Sequence, residues 1–229
     1  MLFQNSKELF LNPPKTFSTG SSRLDEEIGR ISLGMHYLFY GEWDILEKLL
    51  YSVLVNYIRE TNSEALLLTG FDYHMGSFLD FYDLGYIAVQ YWLDPIECMK
   101  KIYVLNLFNK RQTLHIDEIE PLISKVKLIV LYGVTNLYRY ENYPMLIKFL
   151  SKIKCLLNNG TIIFFSSPRK SRKYPPPPDG PLFFRHLPNT IVYFKRVLRV
   201  KNMVRAYVLK HPFRANRTFT LMIYPYGLE

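Results

Sequence analysis

Short, continuously apolar runs separated by longer amphipathic stretches set the strongest limit on what this chain can fold into. Residues 35–40 (MHYLFY), 65–69 (ALLLT), 103–108 (YVLNLF), 127–133 (KLIVLYG) and 161–166 (TIIFFS) are of strand length and carry little polar alternation. A strand covered on both faces has that pattern, because neither row of side chains meets water. Between these runs, helices are predicted over 44–60, 94–101, 117–124 and 143–157. In the first, Ile45, Leu49, Ser52, Val53 and Asn56 share one face, with Leu46 and Leu50 beside it. In the last, Leu146, Phe149, Leu150, Ile153, Leu156 and Leu157 repeat the spacing, and Asn158-Asn159-Gly160 is a stop signal. Strands alternating with helices imply an α/β fold with an open, mostly parallel sheet flanked by helices. After residue 189 the pattern changes. Residues 190–200, 203–210 and 218–224 alternate in character and are joined by polar turns at 201–202 and 212–217, which reads as a C-terminal antiparallel meander.

Composition narrows the function. With 48% hydrophobic and 21% charged residues the chain can bury a core, which excludes wholesale disorder. No uncharged apolar run reaches the ~18 residues of a membrane span, and the start, MLFQNSKELFLNPPK, lacks the pattern of a secretory signal. Cys98 and Cys155 have no metal-ligand or disulfide-framework spacing, so a reducing compartment is expected, the cytoplasm or the nucleus of a eukaryotic cell, with no metal. Charge is lopsided: residues 161–229 carry thirteen Lys and Arg against two acids, Asp179 and Glu229, whereas residues 1–160 carry sixteen against eighteen. That asymmetry favours a polyanionic partner, nucleic acid ahead of a membrane surface, over a merely solvated basic face. Residues 168–188 (PRKSRKYPPPPDGPLFFRHLP) hold four consecutive prolines, which exclude regular helix or ladder and predict an exposed, extended loop.

Residues 17–50 resemble the opening of the RecA/RadA/KaiC recombinase superfamily, where a TG-x-x-x-LD turn leads through glycines into a strand, a P-loop and a helix. Thr19, Gly20, Leu24, Asp25, Gly29 and Gly34 match the approach, and Gly41 stands where the first P-loop glycine would. A working loop reads G-x-x-x-x-G-K-[ST], because backbone N–H groups and a lysine must surround the phosphates. Its last three places here are Leu46, Glu47 and Lys48. Residues 127–139 (KLIVLYGVTNLYR) are similar to the family's Walker B strand and the segment after it, with Thr135, Leu137, Tyr138 and Arg139 matching but Tyr132 in place of the magnesium-positioning acid. Where the family's catalytic glutamate stands, the strand ALLLTGFDY has Phe71, with Asp72 one residue late. Residues 146–168 and the ending at 210–229 resemble the family's helix and strand before the second DNA-binding loop and its terminal hairpin. The resemblance implies one RecA-like core domain over 1–229, with 1–16 a short extension rather than a helix-hairpin-helix module. It points to a core-only paralog of archaeal RadA type with degenerate Walker A and Walker B motifs, no ATPase activity and no cofactor.

Other catalytic patterns are missing: there is no G-x-S-x-G, no H-E-x-x-H and no dinucleotide fingerprint, and the five histidines are scattered singly. The basic loop carries the functional expectation. In the recombinases the loop after the strand equivalent to 161–166 faces nucleic acid. Here it holds Arg169, Lys170, Arg172, Lys173, Tyr174 and Arg185, with Phe183 and Phe184 as aromatic candidates for base stacking or for return to the core. Cations neutralise phosphates and aromatic faces take bases without demanding a sequence. Lys195, Arg196, Arg199, Lys201, Arg205, Lys210, Arg214 and Arg217 extend the positive charge along the meander. The residues support two main readings. One is an ATP-independent, DNA-binding recombinase paralog in homologous recombination and repair, with single-stranded DNA favoured. The other is a pseudo-ATPase interaction subunit that pairs with a recombinase or another paralog. An ATPase using Lys48 as a displaced P-loop lysine ranks third.

Overall fold

The computed structural model describes residues 15–70, 79–138, 140–157, 159–198, 200 and 202–229. A two-stranded antiparallel ribbon, β1 (Thr16–Phe17) and β2 (Ile31–Ser32), encloses α1 (Ser22–Ile28). The Ser21 hydroxyl accepts the Leu24 N–H and starts this helix; Gly29 at φ 73 ends it. Then come β3 (His36–Gly41), α2 (Trp43–Thr61), β4 (Ala65–Gly70), α3 (Phe81–Gln90), α4 (Pro95–Lys100) and β5 (Ile102–Leu107). A 3-10 segment, Gln112–Ile119, precedes α5 (Glu120–Ile123), β6 (Leu128–Tyr132), α6 (Tyr143–Leu156) and β7 (Thr161–Ser166). The chain closes with α7 (Phe183–His186), β8 (Thr190–Arg196), β9 (Met203–Lys210), β10 (Arg217–Tyr224) and β11 (Gly227–Leu228).

Nine strands form one sheet in the order β11-β10-β9-β8-β3-β7-β6-β4-β5. The pairs from β8 through β3, β7, β6 and β4 to β5 are parallel, and those from β8 outward to β11 are antiparallel. The buried strands alternate between two cores. Tyr37 and Phe39 face the layer of α1–α4, while Leu38 and Tyr40 face the layer of α5–α7. Helix α2 is buried from Ile45 to Ile58 except for Glu47 and Lys48. The sheet covers one side, and β1, α3 and β11 cover much of the rest, so the amphipathic stripe expected from its sequence widens to nearly the full circumference. Among the described residues no helix is long and apolar enough to cross a membrane.

Several elements differ from the sequence reading. The helix expected at 117–124 is a 3-10 segment kinked at His115 and a separate short helix that Pro121 initiates. Helix α3 went unpredicted: its buried positions Leu84, Ile87 and Ala88 have helical spacing, but Tyr82, Tyr86 and Val89 on the outer face blur the amphipathic contrast. Strand β8 stops at Arg196 rather than residue 200, because the chain turns there and the Val197 N–H donates to the Met203 carbonyl at 2.8 Å.

Candidate functional site

The carboxyl ends of β3, β6, β7 and β8 meet at one edge, where ligands of open α/β sheets usually bind. A single residue, Glu42, separates the end of β3 from the start of α2. The helix therefore begins where a phosphate loop would have to arch. Ile45 and Leu46 donate their N–H groups to the Glu42 carbonyl at 3.1 Å and bury their side chains completely. Glu47 turns away from the edge. Its carboxylate accepts the Tyr51 hydroxyl at 2.7 Å and the Asp80 N–H at 3.2 Å, tying α2 to the start of α3. Burial and the Glu47 carboxylate both push the Tyr51 phenol above its ordinary pKa. Lys48 points the other way again, its ammonium 3.4 Å from the Pro225 carbonyl.

Gly41 has a packing reason of its own. A Cβ there would lie 2.2 Å from the Phe194 carbonyl oxygen of β8, closer than any side chain tolerates. Tyr132, which the resemblance sets at the Walker B acid position, is buried with its ring 4.9 Å from Trp43 and 6.1 Å from Phe165. That burial raises its pKa. Acid and base at this junction are paired with each other. The Arg196 guanidinium bridges Glu42 at 3.6 Å and Asp44, and the Arg196 N–H donates to Glu42 at 3.1 Å. Of the matched framework residues, Thr135 bonds Ser166 at 3.0 Å and Tyr138 bonds Thr113, both in the interior. Phe71 and Asp72 lie outside the described residues, as do Arg139, Arg199 and Lys201.

The basic loop is exposed but not extended, a correction to the sequence reading. Asp179 donates its N–H to the Ser167 carbonyl and Arg169 to the Pro177 carbonyl, each at 2.8 Å, so the chain doubles back on itself. The prolines form the return limb, with Pro178 buried and Pro175, Pro176 and Pro177 half-buried. Arg169, Lys170, Arg172 and Lys173 occupy the outer limb, all exposed. None of the four forms an ion pair with another described residue, although Arg169 lies close enough to favour ionisation of Asp179, whose carboxyl burial pushes upward. A groove of about 780 Å³ runs beside the loop, lined by Arg169, Lys170, Lys173, Arg185 and Lys210. Phe184 returns to the core against Phe164, with ring centroids 5.0 Å apart, while Phe183 stays partly exposed.

What anchors the loop was invisible in the sequence. Strand register sets Tyr40, Tyr193 and Tyr207 in a row across β3, β8 and β9, with neighbouring rings stacked at 4.9 and 5.7 Å. The Tyr40 hydroxyl donates to the Pro176 carbonyl at 2.9 Å. Tyr174 closes the row edge-on to Tyr207 at 5.5 Å, hydroxyl to hydroxyl. Burial by these rings and the shared hydrogen bond push the Tyr174 phenol up to about 12. The rest of the meander sorts the remaining cations. Besides Arg196, Arg217 pairs with Glu27 at 2.9 Å, Arg214 caps carbonyls of Glu26 and Glu27, and Lys210 caps those of His186 and Pro188. Part of the C-terminal charge is thus consumed internally, and the loop's share is not.

An open sheet with helices on both faces, parallel at its centre, edged by a C-terminal antiparallel meander, and gathering its loops at the carboxyl ends of the central strands is a RecA-like core. Solved structures of similar fold include the crystal structure of the RadB recombinase. It superposes with a TM-score of 0.72 over 92% of this chain and 97% of that one, at 18% sequence identity. At that identity the likeness defines the fold. No protein-family model and no curated protein sequence matches the chain.

Proposed function

We propose that this chain is an ATP-independent DNA-binding protein of RecA-like fold that assists homologous recombination or repair, gripping DNA through the loop at 169–173 and Arg185. The observation that carries the reading is the doubled-back loop: four exposed cations outside any ion pair with a described residue, on a limb backed by the returning prolines. Clustered charges of one sign repel, so a polyanion that sits among them gains affinity by releasing its counterions. The likeness to a recombinase in fold supports a place in recombination.

Residues 42–48 do not fit a nucleoside triphosphate. A cradle needs a glycine-rich arch with its N–H groups turned outward. Here the helix starts at Trp43, Leu46 lies in the core, and Glu42 and Asp44 put negative charge where the phosphates would go. Magnesium would find Tyr132, a buried neutral phenol, in place of a carboxylate. The test is an anisotropy titration with DNA at several salt concentrations, with and without magnesium-ATP. Affinity that falls steeply with salt and ignores ATP is expected. ATP hydrolysis, or ATP-dependent binding that requires Lys48, overturns the reading.

One observation favours the interaction-subunit alternative. On α3, α4 and the turn between them, Tyr82 (89% exposed), Tyr86, Val89, Trp92 (96% exposed) and Ile96 are exposed apolar side chains among the acids Asp83, Asp94 and Glu97. Large exposed aromatics of this kind mark protein contacts. If partner binding dominates, Trp92→Ala abolishes a recombinase complex while DNA affinity stays intact.

A further inference from the structure

The open face of the meander carries a second cationic pair that the loop does not use. On β8 and β9, Lys195 lies directly across from Arg205, one step beyond the Tyr193–Tyr207 pair and on the same face. Like charges directly opposite each other in a sheet are destabilising. Neither is in an ion pair with a described acid, and Glu42, near Tyr193, is already held by Arg196. Lys195 instead sits 5.2 Å from the centre of the Tyr174 ring, and Tyr174 itself is 58% exposed.

Tyr174, Lys195, Arg205 and Tyr207 line a cleft of about 300 Å³. The neighbours of Tyr174 in the chain, Lys173 and Pro175, line the larger basic groove. The loop tip is therefore a wall shared by two cationic recesses, with an aromatic ring at the crest. A ligand that uses both must carry repeated negative charge and flat apolar groups between the charges. Single-stranded nucleic acid has that chemistry, whereas in a duplex the base faces are already stacked on one another.

Resting on the nucleic-acid reading above, we propose that a single strand leaves the basic loop across Tyr174 and sets its next phosphates between Lys195 and Arg205. The repulsive pair persists because the bound strand neutralises it.

The experiment measures labelled oligothymidylate binding by anisotropy for the wild type, Lys195→Gln/Arg205→Gln and the loop variant Arg169→Ala/Lys170→Ala/Arg172→Ala/Lys173→Ala, with thermal melts of each. The pair variant is expected to bind roughly tenfold more weakly at 0.1 M salt. Its log–log salt slope should fall by about 1.4, for two phosphate contacts on a single strand. It should also melt at a slightly higher temperature than the wild type, because the repulsion is gone. A wild type that binds no nucleic acid overturns both this proposal and the reading it rests on. A wild type that binds, beside a pair variant with unchanged affinity and slope, overturns this proposal alone. An equal loss on duplex DNA of the same length overturns the single-strand assignment. Poly-glutamate competing as well as oligothymidylate at equal charge hands the cleft to an acidic protein segment.

Discussion

The junction of β3 with α2 and the loop between β7 and β8 lie at the same edge of the sheet, yet they treat their polar groups in opposite ways. At the junction, the acids have internal partners: Glu42 and Asp44 with Arg196, Glu47 with Tyr51 and the Asp80 N–H. Leu46 fills the space beneath. In the loop, backbone hydrogen bonds and a tyrosine row fix the chain, while the cations on its outer limb face solvent unpaired. A region that satisfies its own polar groups gains stability and leaves fewer of them free for a ligand. A region whose backbone is satisfied but whose charge is not can wait for one in a fixed shape, which lowers the ordering cost of binding.

That contrast can be broken most forcefully at Gly41. If the glycine survives for strand packing, Gly41→Ala should destabilise the fold by about 3 kcal/mol or more, since the new methyl meets a backbone carbonyl that cannot rotate away. Urea denaturation would register the loss; a neutral outcome would mean the glycine answers to something other than β8. Next in size is the attempt to rebuild the motif. Leu46→Gly/Glu47→Lys/Lys48→Ser recreates the P-loop letters, yet should cost roughly 3 kcal/mol for the emptied core site and still bind no ATP by calorimetry, because the helix already begins at Trp43. Recovery of nucleotide binding would show that the junction can open into a loop.

A third measurement concerns pH. His36, at the opposite end of β3, accepts the Ile162 N–H at 3.3 Å through Nδ1, and burial, assisted by Lys154, lowers its pKa to about 4. Between about pH 6.5 and pH 4 the unfolded chain binds a proton that the folded chain refuses. The stabilisation is therefore complete above pH 6.5 and is lost as pH falls toward 4, up to roughly 3 kcal/mol. His36→Gln should flatten that slope in denaturation series, whereas the loop variant should leave it unchanged. The smallest effect is the sharpest: removing all four loop cations should alter stability by no more than about 0.5 kcal/mol while weakening DNA binding strongly. A large loss of stability there would mean the loop charges hold the fold after all, and the contrast between the two regions would dissolve.

Much of the architecture was legible because local pattern and global fold agree. The apolar runs at 35–40, 65–69, 127–133 and 161–166 became central strands, since only a strand covered twice tolerates such sequences. Helix α3 escaped because an outer face bearing Tyr82, Tyr86 and Val89 leaves no polar half for periodicity to detect. At the candidate site, Leu46, Glu47 and Tyr132 depart from the letters of a phosphate loop and its acid, but their identities do not say what surrounds them. The Glu47 bond to the start of α3 and the Arg196 bridge each join residues more than 30 positions apart.

The sequence by itself determined the class of fold, the departure of residues 46–48 from the letters G-K-[ST] and the concentration of cations in the last third of the chain. These are properties of composition, period and spacing, which a chain carries whether folded or not. Tertiary structure decided which cations are free. Arg196, Arg214 and Arg217 look no different in the sequence from Arg169, Arg172 and Arg205, and only the approach of Glu42, Asp44 and the end of α1 consumes the first three. It also decided the tyrosine row and the opposed Lys195 and Arg205, because register between β3, β8 and β9 brings together side chains that no local rule relates.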